Sequence, residues 1–260
     1  MLNRTSSLAV LFCLTSIASL AAERQTTLSG AGLSLDSNCA RQLEIRPDPG
    51  LTGQVAITVT ADNQEEIDRL VFDTASNARI RSGPQACWRS SLLSSFEPTL
   101  TMLVRVPTGF PLHIDASGAG SGVVGDVGGP LDLNQSGAGR FIVGTVTTLS
   151  IELSGEGDVR VAKADGVGKI DLSGAGHVSV GQATMATLTA NLSGAGTIDV
   201  QSGQIDRLLV DDSGFGTVRV GATVGDALVN VSGLGGVHLA KVTGALRKDV
   251  SGVGAVTVGP

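Results

Sequence analysis

Residues 188–200 read Leu188-Thr-Ala-Asn-Leu-Ser193-Gly-Ala-Gly-Thr-Ile-Asp-Val200. Leu188 and Ala190 stand five and three places before the serine, and Ile198 and Val200 five and seven places after it. The apolar residues thus share one parity on both sides of the glycines. A period of two marks extended strands with one buried face and leaves no place for a helix. The segment reads as strand, corner, strand.

Outward from it the pattern returns at a fixed interval. Ser117, Ser136, Ser154, Ser173, Ser193, Ser213, Ser232 and Ser251 each open a Ser-Gly-x-Gly copy, at intervals of 19, 18, 19, 20, 20, 19 and 19 residues. Eight copies at so constant a period signal a solenoid. The column five before the serine is mainly Leu, from Leu112 to Leu246, and the column seven after it is Val or Leu from Val124 to Val258. Two strands of about four or five residues, a short third wall such as Thr145-Val146-Thr147 and three corners account for each period. The expected fold is all-β: a parallel β-helix with about 19 residues per coil. The glycine pair is expected to supply backbone conformations that a Cβ resists and to leave room for close stacking. A β-propeller or sandwich, the alternative, would need hairpin turns and larger units.

Only 6 of the 36 glycines precede residue 117, which marks a boundary. Residues 23–111 are strand-like without the period and are expected to form irregular early coils and a cap, or a separately folding domain. Residues 112–260 are expected to form the regular β-helix. A further motif copy stands at Ser29-Gly-Ala-Gly. Residues 1–22 carry Arg4, an apolar run from Leu8 to Leu20 and small residues at Ala21 and Ala22, the plan of a secretory signal peptide. Their removal would leave an acidic, exported chain with no transmembrane span. Cys39 and Cys87 would then form a disulfide, with two unpaired thiols as the alternative.

Composition removes several function classes. Aromatic residues make up 3% of the chain, with no Tyr, so stacking platforms for sugars or single-stranded nucleic acid are not expected. A net charge of −6 removes the usual reason to bind a polyphosphate, and nucleic acid is not an expected partner.

One column invites a functional reading. Two places before each serine stand Asp115, Asn134, Glu152, Asp171, Asn191, Asp211, Asn230 and Asp249, of outward parity. They predict a polar stripe with a repeat of about 4.8 Å. The stripe is expected to be structural, its side chains capping the Ser-Gly corner. Calcium, which takes several carboxylate oxygens, is the alternative; no other cofactor or metal is expected. Because polysaccharide lyases and hydrolases also use β-helices, an enzyme is the second hypothesis. Those chemistries need clustered acids under long loops, and periods varying by two residues build none. Arg160, Arg219 and His238 read as a solvated face, and His177 as a lone surface histidine beside Asp158 and Thr197. The eight equivalent serines read as a corner requirement and not as nucleophiles, so no catalytic residue is assigned.

The segment Val104-Arg-Val-Pro-Thr-Gly-Phe-Pro-Leu-His-Ile-Asp-Ala-Ser-Gly-Ala-Gly, followed by the repeated motif, resembles the bacterial head GIN domain family of autotransporter adhesin candidates. The resemblance covers roughly residues 28–260. It implies an exported β-helical protein of the bacterial envelope, periplasmic or at the cell surface, with no catalytic residues. The expected function is a non-enzymatic structural or adhesive contact surface, its partner an envelope protein or glycan. The last coil, ending at Val258-Gly259-Pro260, would present unpaired strands, so pairing with another subunit or cover by a local loop is expected.

Overall fold

The computed structural model describes residues 21–38, 40–74, 76–82 and 99–259. Most of the expected signal segment, both cysteines of the expected disulfide and Pro260 lie outside these residues. In chain order the elements are β1 (Ala22–Ser29), β2 (Leu33–Asp36), β3 (Gln42–Pro47), β4 (Gln54–Ala61), α1 (Gln64–Asp68), β5 (Leu70–Thr74), β6 (Ala78–Ser82), β7 (Thr101–Val106), β8 (Leu112–Ala116) and β9 (Ser121–Val124). There follow β10 (Pro130–Gln135), β11 (Arg140–Leu153), β12 (Asp158–Leu172), β13 (His177–Leu192), β14 (Thr197–Asp212), β15 (Thr217–Val231), β16 (Gly236–Val242), β17 (Leu246–Val250) and β18 (Ala255–Val258).

From β8 to β16 every strand pairs in parallel with the coil before and after it, giving a parallel β-solenoid of about 8 turns. The columns read from the sequence are its ladders: Leu112 faces Leu131, which faces Leu149, and Val178, Ile198 and Val218 stand in line. These side chains are buried and form one column of aliphatic core.

Two local expectations are corrected. The wall strands are not short: β11 to β15 run for 14 to 16 residues from one Ser-Gly-x-Gly corner to the next. The third wall bends without leaving the ladder and sends Val146, Ala164, Met185, Ile205 and Val224 inward. Register slips fall near this wall, between Val146 and Thr148, Gly166 and Val167, Val200 and Gln204, and Val220 and Thr223. Bulges there absorb the variation in period and keep the other walls aligned. The second correction concerns the glycines, since no motif glycine has a positive φ. Their requirement is space alone: a Cβ on Gly194 would collide with the carbonyl oxygen of Gly174 on the coil below.

In the N-terminal part, chain order departs from spatial order. β2 and β3 pair in parallel with β8 and β9 on one side and with the later β6 and β7 on the other. Two antiparallel systems close this end, β1–β4–β7 and β5–β6. The corner between β2 and β3 falls at residues 37–41, opposite 116–120, and lacks the glycine pair. The copy at Ser29-Gly-Ala-Gly is not a corner of the regular kind; it joins β1 to β2.

At the other end, β17 pairs with β15 and β18 with β16, each along one edge among the described residues. Lys248 occupies the column that holds Ile114, Leu133, Ile151 and Ile170 in earlier coils. A charge in an inward position on an edge strand discourages indiscriminate strand pairing.

Candidate functional site

The outward stripe forms an in-register column. Asp115, Asn134, Glu152, Asp171, Asn191, Asp211, Asn230 and Asp249 pair coil to coil without a slip. Asp36 of β2 pairs with Asp115 and extends the column by one coil. Where each strand bends into its corner, the side chain two before the serine and the serine itself face one concave side. Over the first coils this produces a groove of about 400 Å³ lined by Asn38, Asp115, Asn134, Glu152 and Asp171 with the motif serines.

The polar groups of the groove bond chiefly along the stack. Asn134 Nδ2 donates to Asp115 Oδ1 at 3.0 Å, and Asn191 Nδ2 to Asp171 Oδ1 at 2.6 Å. His113 bridges two carboxylates, Nδ1 to Asp132 Oδ2 at 2.9 Å and Nε2 to Asp115 Oδ2 at 3.1 Å. Lys169 Nζ lies 2.6 Å from Asp171 Oδ2 and 4.0 Å from Glu152 Oε1. The amides thus sit between carboxylates and donate to them, which relieves like-charge repulsion at strand spacing. The expected bond from column to corner backbone is made by Asp36, whose Oδ1 accepts the Asn38 N–H at 3.0 Å, and at the next coil Ser117 N donates to Asn38 Oδ1 at 2.7 Å, from the glycine-free corner.

The charge environment follows from these contacts. Partial burial opposes protonation of His113, but the hydrogen bond to Asp132 and the charges of Asp115 and Asp132 outweigh it and raise its pKa. The hydrogen bond and charge of Asp171 raise that of Lys169. Among the described residues no three His, Cys, Asp or Glu side chains converge as a metal-binding group. No motif serine hydroxyl has a hydrogen bond to a histidine or carboxylate among them.

The residues read as a solvated face stand on the wall that follows the corner. Arg160 pairs with Asp158 at 2.8 Å, His238 Nδ1 bonds Thr257 Oγ1 at 2.9 Å, and His177 stands between Asp158 and Thr197 in the ladder.

A second feature lies on the corner ridge. The variable motif residue is Ala119, Ala138, Glu156, Ala175 and Ala195 in the first five copies, then Phe215, Leu234 and Val253. These last three are 71%, 56% and 84% exposed and follow one another coil by coil. The change from Ala to Phe, Leu and Val at one motif position was the available sequence signal. Beneath the first of them Asp212 is 0% exposed, and burial raises its carboxyl pKa; the Gly214 N–H pulls it down and Asp211 adds to the rise.

No family model matches the chain, and no curated protein matches it. Solved structures do. A candidate adhesin from Parabacteroides distasonis superposes with a TM-score of 0.62 at 14% identity, over 92% of this chain and 98% of its own. A candidate lipid-binding protein from the same species gives 0.54 at 16% identity, over 92% and 96%. A candidate adhesin from Parabacteroides merdae gives 0.54 at 15% identity, over 92% and 95%. The likeness is one of fold. Among the described residues, no helix is long and apolar enough to cross a membrane.

Proposed function

We propose that this protein is a non-enzymatic, exported β-solenoid of the bacterial envelope, of the head GIN kind, that works as an adhesive or structural contact surface. The observation that carries the reading is the row Phe215, Leu234 and Val253. Three large apolar side chains project from successive corners where smaller or charged residues would satisfy the fold. A contiguous exposed apolar row costs solubility and marks a surface that is covered in use. The solenoid keeps the row rigid, so little side-chain or loop ordering opposes binding. The fold shared with candidate adhesins supports the same reading.

The test is binding of purified protein to isolated envelope fragments, wild type against a Phe215→Ser, Leu234→Ser, Val253→Ser variant. Loss of binding with an unchanged melting curve supports the proposal, and equal binding overturns it. We further propose that the edges of β17 and β18 that have no partner among the described residues are covered by a strand of a second subunit. Sedimentation of a monomer at all working concentrations would contradict that part.

A further inference from the structure

The residue just before the motif serine is buried in the first seven coils, and in five of them it is apolar: Ala116, Leu153, Leu172, Leu192 and Val231. Two coils break this rule. Gln135 is 2% exposed, and its Nε2 donates to the carbonyl of Gly139, four residues on, at 2.6 Å. Asp212 stands in the same column, and its Oδ2 and the equivalent carbonyl, that of Gly216, both lie against Gly235. A Cβ placed on Gly157 would meet both Gln135 Nε2 and Gly139 O; one placed on Gly235 would meet both Asp212 Oδ2 and Gly216 O. The two side chains therefore fill one structural role, with an amide donor in one coil and a carboxyl oxygen in the other.

A carboxylate cannot play that part. Asp212 Oδ1 accepts the N–H of Gly214 at 3.0 Å, but Oδ2 is buried with no donor, and an acceptor, Gly216 O, shares its place beside Gly235. Gly216 O already accepts the Gly236 N–H of the next coil at 3.1 Å, so its remaining lone pair calls for a second donor. A proton on Oδ2 supplies it. Leaving the oxygen ionised would place an unpaired charge in an aliphatic column, among the costlier defects a core can hold.

We propose that Asp212 is a neutral carboxylic acid in the native protein, that it clamps both glycines flanking Phe215, and that its ionisation releases this corner. This rests on the reading of the Phe215 row as the contact surface, and makes that surface sensitive to pH. Within the corner the Gly214 N–H is held by Oδ1 and Gly216 O by the Oδ2 proton, so the clamp spans Phe215 on both sides. Of the charged groups around it, Asp211 on the same strand opposes ionisation. Leu192 and Val231, its register partners on the coils either side, carry no charge, nor do residues 213–216 or Gly235. The native carboxyl titrates above its unfolded value of about 3.9. Its contribution is therefore fully present below that pH and lost as pH rises through the native value.

The experiment compares wild type with Asp212→Asn, which keeps the acceptor for Gly214 and presents a permanent donor to Gly216. Melting temperatures from about pH 4 to about pH 8 should fall in the wild type relative to the variant by several degrees. At neutral pH, Asp212→Asn should match or exceed the wild type, whereas Asp212→Ala should melt lower than Asp212→Asn at every pH. The ¹³C carboxyl resonance of Asp212 should titrate above the range of the other aspartates, a readout independent of any variant's folding. An Asp212→Asn protein less stable than wild type at neutral pH, or a carboxyl that titrates in the ordinary range, overturns the proposal. Binding to envelope fragments separates the two readings. If the Phe215 row proves dispensable while the pH difference holds, the contact surface falls and the clamp stands.

Discussion

The two ends of the corner row are built on one backbone and carry opposite surfaces. Over the first coils the corners are mostly Ala, and the bend beside them forms a polar groove in which Asp115, Asn134 and Asp171 bond along the stack. Over the last three, the motif residue is Phe, Leu and Val, and an exposed apolar row runs beside the continuing polar column of Asp211, Asn230 and Asp249. In a solenoid the fold is repaid by the inward columns and the glycines, so the outward positions vary at little cost. A difference between outward positions therefore reports use, and a difference between inward ones reports structure.

The strongest test of this division is at a glycine common to both ends. Gly174→Val places a side chain against Gly155 O and Ser154 O, and should destabilise by about 3 kcal/mol or more in chemical denaturation. Gly236→Ala, whose new Cβ would find its nearest contact at 3.9 Å, should be close to neutral. Equal effects would mean that coil stacking does not set the glycine requirement. The serine variants of Phe215, Leu234 and Val253 should cut envelope binding by about tenfold or more, yet change stability by no more than about 0.5 kcal/mol per exposed site. Serine at Ala119, Ala138 and Ala175 should leave binding as it is, and a matching loss there would erase the comparison.

Smaller effects sharpen the polar end. Asn134→Asp sets five acids in successive coils, Asp36, Asp115, residue 134, Glu152 and Asp171, and should destabilise by about 0.5 kcal/mol at low salt, less at high salt. A salt-independent loss would point to packing. His113 gives the smallest effect, since its side chain is 39% exposed and solvent screens its two carboxylate partners. Its raised pKa makes its contribution complete below about pH 6.5, lost as pH rises through the native value. Removing it by His113→Gln should lower the melting temperature slightly in acid and leave it unchanged in alkali.

The columns were legible because a side-chain period of two is written directly into the chain and eight copies average out exceptions. Asp115 to Asp249 were placed by parity, and they stand in one ladder. What escaped has physical reasons. Asp36 belongs to the same column, but its corner at residues 37–41 lacks glycines and its coil is inserted between strands that follow it in the chain. No local pattern encodes such threading. The continuous 14-to-16-residue strands are not legible as such, because a bend that keeps its ladder has the same sequence pattern as a turn. Asp212 is an acid in a mainly apolar column, and a single acid in eight copies carries no periodic signal of its own.

Groove, row and clamp all rest on adjacent coils being stacked in register, and paired cysteines test this most directly. Thr197 and Thr217 face each other on neighbouring coils, whereas Asp158 and Thr197 are separated by the coil of His177. Under mild oxidation, with bridges mapped by peptide mass, Thr197→Cys with Thr217→Cys should cross-link and Asp158→Cys with Thr197→Cys should not. Failure of the first pair, or equal cross-linking of both, would contradict the stacked tube.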